Sequence, residues 1–163
     1  MFKKILIANR GEIACRVIKT CQKMGIKTVA VYSDVDHNSL HVSMADESVH
    51  IGGAASSESY LVIDNMVNAC KQTKADAVHP GYGFLSEDED FAHALALAGI
   101  TFIGPKAEAI VGMGDKIQSK KIAEQAGVNV IPGFTEVLAD SKQAVTVANE
   151  IGYPIMLKAS AGG

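Results

Sequence analysis

The chain has little cysteine, no long apolar run and no surplus of positive charge, and each lack removes a class of function. Three cysteines, Cys15, Cys21 and Cys70, occur in 163 residues. Odd in number and without C-x-x-C spacing, they support no disulfide framework, zinc knuckle or dithiol redox centre, and buried free thiols are expected. The five histidines (His37, His41, His50, His79 and His93) form no H-x-x-x-H or H-E-x-x-H pattern, which argues against a metal site in this chain. Fifteen Lys and Arg against eighteen Asp and Glu leave a net charge of −3. Nucleic-acid and membrane-surface binding call for the opposite balance. No apolar run reaches the ~18–20 residues of a membrane span. The start, Met1-Phe2-Lys3-Lys4, is charged too early for a secretory signal and is not an Arg- and Ser-rich transit peptide, so a cytoplasmic location is expected.

What is present is enough for a packed core. The hydrophobic set makes up 48% of residues and charged residues 20%, which excludes disorder, and the length fits one domain or one domain with part of another. Short buried strands alternate with amphipathic helices: Ile5–Ala8, a helix with its inward stripe at Ile13, Val17, Ile18, Cys21 and Met24 closed by Gly25, then Thr28–Tyr32 and a short strand at Ser48–Ile51. A helix over Tyr60–Gln72 leads to a strand at Ala75–His79, and a helix over Glu87–Ala98 leads to Ile100–Ile103. This order predicts an α/β fold, a parallel sheet with helices on both faces. Gly104-Pro105 ends that unit. Two short helices, Ala107–Met113 and Lys116–Ala126, read as a linker to a second lobe containing a helix over Ser141–Ile151 and a strand over Pro154–Lys158. The chain stops on a glycine pair directly after that strand, so it reads as part of something longer.

Four pairs carry capping-box spacing at the expected helix starts: Asn9 with Glu12, Ser86 with Glu89, Asp115 with Gln118, and Asp140 with Gln143.

Three features point to chemistry. His79-Pro80-Gly81-Tyr82-Gly83-Phe84-Leu85-Ser86-Glu87 follows the carboxyl end of a parallel strand, where open α/β sheets bind ligands. Its glycines permit close backbone approach and display Tyr82; alternatively it is only a tight strand–helix turn capped by Ser86. Lys116 stands at a helix start, where a cation opposes the macrodipole unless an anion such as a polyphosphate is bound. A solvated surface lysine is the other reading. Lys158 ends a buried strand, a place where unpaired charge is rare. No complete P-loop occurs, and the Gly81-x-Gly83 pair lacks the third glycine of a dinucleotide fingerprint, so an NAD-binding domain with Asp34 as its acidic residue is a weaker alternative.

These residues carry a resemblance. Ile7-Ala8-Asn9-Arg10-Gly11-Glu12-Ile13-Ala14, the His79–Glu87 segment, Phe102-Ile103-Gly104-Pro105, Met113-Gly114-Asp115-Lys116, and Gly152-Tyr153-Pro154 followed by Lys158-Ala159-Ser160-Ala161-Gly162-Gly163 are similar, in order and spacing, to biotin carboxylase. Within the family, the details at Cys15, Met24–Thr28 and Ser160–Gly163 are most similar to the propionyl-CoA branch. The acetyl-CoA, 3-methylcrotonyl-CoA and pyruvate carboxylases share much of the region.

The resemblance implies an ATP- and bicarbonate-dependent ligase that carboxylates biotin on a carrier domain, with a carboxyltransferase subunit as further partner. Its fold would be a Rossmann-like, pre-ATP-grasp domain over residues 1–104, a helical linker over 105–127 and the truncated start of an ATP-grasp lobe over 128–163. Lys116 and Lys158 would contact ATP phosphates, Gly162 and Gly163 would begin the lid, and Tyr82 and Gly83 would lie beside biotin. No catalytic residue is implied within the chain. The Mg²⁺ ligands, the base acting on bicarbonate and the Arg serving the biotin enolate would lie beyond it, leaving the chain alone inactive. A non-catalytic assembly module remains the alternative. The family also pairs through this lobe, a homodimer in the longer protein. Here the outward side of the first helix carries Arg16, Lys19, Gln22 and Lys23 and no acid, so self-repulsion is expected to keep the chain alone monomeric. Asp88 stands where the family usually has Asn.

Overall fold

The computed structural model describes residues 1–114, 116–131, 133–134 and 136–157, with Lys116 placed by its backbone. The chain divides into two units, Met1–Ala107 and Glu108–Gly163.

The first unit is a five-stranded sheet in the order β3-β2-β1-β4-β5, with β1 at Lys4–Ile7, β2 at Lys27–Tyr32, β3 at Glu47–His50, β4 at Ala77–His79 and β5 at Thr101–Phe102. Every pairing is parallel, with Leu6 opposite Val29 and Val78. Successive side chains of a strand face opposite sides, and the core divides accordingly. Ile5 and Ile7 pack with Ile13, Ala14, Val17, Ile18 and Cys21 of helix α1 (Gly11–Lys23). Leu6 and Val78 pack on the other face with Met66 and Cys70 of α3 (Ile63–Thr73) and Phe91 and Leu95 of α4 (Glu89–Leu97). The α/β sheet with helices on both faces is therefore as expected, and the three cysteines are free and buried.

Several boundaries differ from the sequence reading. Gly25 does close α1, at φ +70, but Met24 is exposed rather than part of the inward stripe. A short helix, α2 (Leu40–Met44), was not expected, because five residues are too few to show a period. Tyr60 lies ahead of α3 instead of inside it, fully buried with its hydroxyl committed elsewhere.

Two of the proposed caps are corrected. Asn9 does not cap α1, whose N-cap position is Arg10 with no side-chain cap. Ser86 sits inside a 3-10 turn at Phe84–Glu87, and the cap of α4 is Asp88, which accepts from the Phe91 N–H at 2.9 Å. Asp140 behaves as expected: its carboxylate accepts from Gln143 N–H at 2.8 Å, while Gln143 Oε1 accepts from Ala139 N–H. Asp115 lies outside the described residues.

The second unit contains α5 (Ala107–Gly114), whose first residue belongs to the first unit, α6 (Lys116–Gln125) and α7 (Ser141–Ile151). The strand expected over 154–158 is corrected: its described residues, 154–157, are irregular, with Met156 78% and Leu157 74% exposed. A strand exists only through a neighbour that takes its N–H and C=O groups, and the described residues supply none there.

Candidate functional site

The sheet order reverses between β1 and β4. From β1 the chain passes to α1 on one face, and from β4 to α4 on the other, so the carboxyl ends of these two strands border a crevice, the usual ligand position in an open parallel sheet. Two segments meet there: Ala8-Asn9-Arg10 after β1, and Pro80-Gly81-Tyr82-Gly83-Phe84 after β4.

Asn9, only 4% exposed, ties them together. Its Nδ2 donates to the carbonyls of Pro80 (2.9 Å) and Tyr82 (2.8 Å), and its Oδ1 accepts from Arg10 N–H. That closeness excludes a side chain at residue 81: a Cβ on Gly81 would stand 2.7 Å from Asn9 Nδ2, and the residue has φ +69. Gly81 N–H in turn donates to His79 Nδ1 at 3.0 Å. This places the ring proton of His79 on Nε2, and burial, followed by the Arg16 charge, holds its pKa below the ordinary value.

Tyr82 is 61% exposed, with its hydroxyl donating to Glu12 Oε1 at 2.5 Å, and this bond raises the phenol pKa. Gly83 follows at φ +62 with open space where a Cβ would be. Next comes Phe84, at φ +46 without being glycine, a conformation costing about 1–3 kcal/mol. Its ring stacks on Tyr60, with centroids 5.1 Å apart and planes 6° from parallel. The Arg10 guanidinium lies 5.2 Å from the Tyr60 ring and 5.6 Å from the Phe84 ring.

Behind this stack, Asp36 Oδ2 accepts from Tyr60 OH (2.7 Å), Ser33 Oγ (2.9 Å) and Arg10 Nη1 (3.2 Å). Burial pulls the Asp36 carboxyl upward, but these bonds and the Arg10 charge outweigh it and hold it below the ordinary value. Burial, and then Asp36 as acceptor, push the Tyr60 phenol up to about 12. The cluster was not foreseen. Periodicity marks which face is buried, whereas a partly buried network joining the polar side chains of residues 10, 33, 36 and 60 to the ring of residue 84 leaves no periodic trace.

Among the residues expected from sequence, Tyr82 and Gly83 therefore share the crevice. Lys116 opens α6, while Lys158, Gly162 and Gly163 lie outside the described residues. Among the described residues no group of three or more His, Cys, Asp or Glu side chains could hold a metal. No helix among them is long and apolar enough to cross a membrane. The dinucleotide alternative fails on topology. Its glycine fingerprint belongs in the turn after β1, and the Gly81–Gly83 pair follows β4; His50 Nε2 also occupies Asp34, at 2.6 Å.

Comparison with known proteins fits this geometry. Residues 1–110 match "Biotin carboxylase, N-terminal domain", and residues 115–163 match "Carbamoyl-phosphate synthase L chain, ATP binding domain". The chain belongs to the biotin carboxylase family. It is 64% identical to the mitochondrial propionyl-CoA carboxylase alpha chain of Mus musculus over 162 residues, 99% of this chain. It spans 22% of that relative's length. The structure of biotin carboxylase from Campylobacter jejuni in a β-γ-ATP complex superposes with a TM-score of 0.93 at 50% identity, over 100% of this chain and 36% of that one. The biotin carboxylase domain dimer of Hydrogenobacter thermophilus 2-oxoglutarate carboxylase, with MgADP, ADP and bicarbonate, gives 0.90 at 50% identity, again over 100% and 36%. The resemblance read from the motifs, including its leaning to the propionyl-CoA branch, is thus borne out.

Proposed function

We propose that the chain forms the biotin-facing lobe and the opening of the ATP-grasp lobe in an acyl-CoA carboxylase whose acyl substrate is propionyl-CoA. The reaction joins bicarbonate to the γ-phosphoryl group of ATP as carboxyphosphate, with release of ADP, and passes CO₂ to N1 of biotin, with release of phosphate and of the N1 proton. The observation that carries this reading is the exposed Tyr82 between two glycines at the sheet's switch point, braced by Asn9, in a chain of this family. The planar ureido ring of biotin, which carries N1, suits an open glycine backbone beside an aromatic ring. ATP and MgADP occupy the related structures named above, and Lys116 and Lys158 would serve the phosphates here. Their part is charge-assisted clamping, and the lid beginning at Gly162-Gly163 would shield it from water. Mg²⁺ would supply charge neutralisation at the phosphates, held by ligands outside this chain. The domain limits we assign are 1–104, 105–127 and 128–163.

The partners are a biotin carboxyl carrier domain, a carboxyltransferase subunit and a second copy of the longer protein, with neither nucleic acid nor membrane. Three buried free thiols suit the reducing cytoplasm, which we assign as the location. The 163-residue chain alone would not turn over, and biotin-stimulated phosphate release above a Lys158→Ala control would contradict that. A non-catalytic assembly role is favoured only by the first unit's self-sufficient two-sided core.

The test is kinetic. In the carboxylase that contains this chain, Lys116→Ala and Lys158→Ala should each raise KM for ATP roughly ten- to a hundredfold, the worth of a charge-assisted contact. Unchanged ATP kinetics in both would return them to solvated surface lysines.

A further inference from the structure

Phe84 takes a left-handed backbone conformation, φ +46, directly after Gly83 at φ +62. An aromatic residue stays in that region only where its surroundings over-determine it. Those surroundings come from three separate stretches of the chain: Arg10 after β1, Ser33 and Asp36 after β2, and Tyr60 ahead of α3. Tyr60 stacks on Phe84, Arg10 lies against both rings, and Asp36 fixes Tyr60 and Arg10 through a single carboxylate oxygen that also accepts from Ser33. An apolar filler would support the ring at less desolvation cost. What the polar arrangement adds is direction: a planar guanidinium and a phenol held by one acceptor allow the stack a single placement.

We propose that the Arg10–Asp36–Tyr60 network is a positioning device for the biotin loop, acting through the ring of Phe84 to hold Tyr82 and Gly83 in their binding conformation. The proposal rests on the reading that Tyr82 and Gly83 lie beside biotin. Asn9 fixes the loop from the β1 side through the carbonyls of Pro80 and Tyr82, and the aromatic stack fixes it from its far end. None of Arg10, Asp36 and Tyr60 needs to touch biotin.

Phe84→Leu, Arg10→Lys, Asp36→Asn and Tyr60→Phe test this in the carboxylase that contains the chain. Phe84→Leu and Arg10→Lys should raise KM for free biotin about three- to thirtyfold, the worth of a partly desolvated cation–ring contact, and leave KM for ATP unchanged. Asp36→Asn should raise it too. Tyr60→Phe keeps the stack and loses only the hydroxyl's two bonds, the one donated to Asp36 and the one accepted from Ser33 N–H, so its rise should be the smallest. Biotin and ATP constants moving together, or neither moving, would overturn the proposal. Gly83→Ala separates the two layers, because its side chain is strained at φ +62. If Gly83→Ala and the network variants all leave the biotin constant alone, the biotin-loop reading itself falls. If Gly83→Ala raises it and the network variants do not, only the positioning proposal falls. A second readout needs no turnover: in the 163-residue chain, Arg10→Lys and Tyr60→Phe, which keep the site filled, should shift the amide resonances of Gly81 and Gly83. Unshifted resonances would also overturn the proposal.

Discussion

Both amide hydrogens of Asn9 go to carbonyls of the Pro80–Tyr82 segment, so removing them strands two acceptors at once. Asn9→Ala should lower stability by about 1–3 kcal/mol in urea unfolding. A loss below a few tenths would mean water replaces the bonds freely. Histidine sets the pH dependence above the carboxylate range. His41 is fully buried, with Nε2 against Val31 O at 3.1 Å and Nδ1 without a hydrogen-bond partner. Burial lowers its pKa, as it does for His79. The unfolded chain therefore takes up protons first. Stability is full above about pH 6.5 and is lost as pH falls from there toward the folded values. The urea midpoint should drop between pH 7.5 and 5.5, and His41→Leu should flatten that slope. An unchanged slope would mean that His41 protonates equally in both states. At this scale the sequence was a partial guide. The displayed Tyr82 could be read from its flanking glycines, whereas the bonds from Asn9 to Tyr82, from Arg10 to Asp36 and from Tyr60 to Asp36 span 73, 26 and 24 residues and had no local sign.

Helix starts show how a local signal can be right in kind and wrong in place. Ser86 and Asp88 both precede α4, and the intervening 3-10 turn hands the capping position to Asp88. Asp88→Ala should cost about 0.5–2 kcal/mol, while Ser86→Ala should stay well below that. Equal losses would contradict this placement. Strands β1, β2 and β4 were legible because each is a short apolar run buried over most of its length, β3 and β5 are more exposed, and the expected ends were off by at most two residues. The strand expected over 154–158 has the same composition and is irregular over 154–157, since apolar content cannot supply a missing neighbour. Asp46 marks another element-level constraint. Its carboxylate meets Lys27 Nζ at 2.7 Å and accepts from Thr28 N–H and Oγ1, and the Lys27 bond is the largest influence drawing its pKa down to about 2. Its contribution is present above about pH 4 and is lost as pH falls toward 2.

For the whole chain, charge and family lead to separate expectations. Arg16, Lys19, Gln22 and Lys23 are all exposed on α1, as the helical spacing implied. A two-fold contact through that side sets cations near one another, so the chain should sediment mainly as a monomer at micromolar concentration, with any dimer weakened as salt is lowered. A dimer that tightens at low salt would contradict the repulsion. The central claim is that this lobe serves biotin in an ATP-driven carboxylation, and phosphate release by the carboxylase containing this chain tests it most directly. With ATP, Mg²⁺ and bicarbonate present, adding free biotin should stimulate release in the wild type, and Gly83→Ala should demand more biotin for the same rate. Phosphate release indifferent to biotin, in both proteins and at every biotin concentration, would contradict the account.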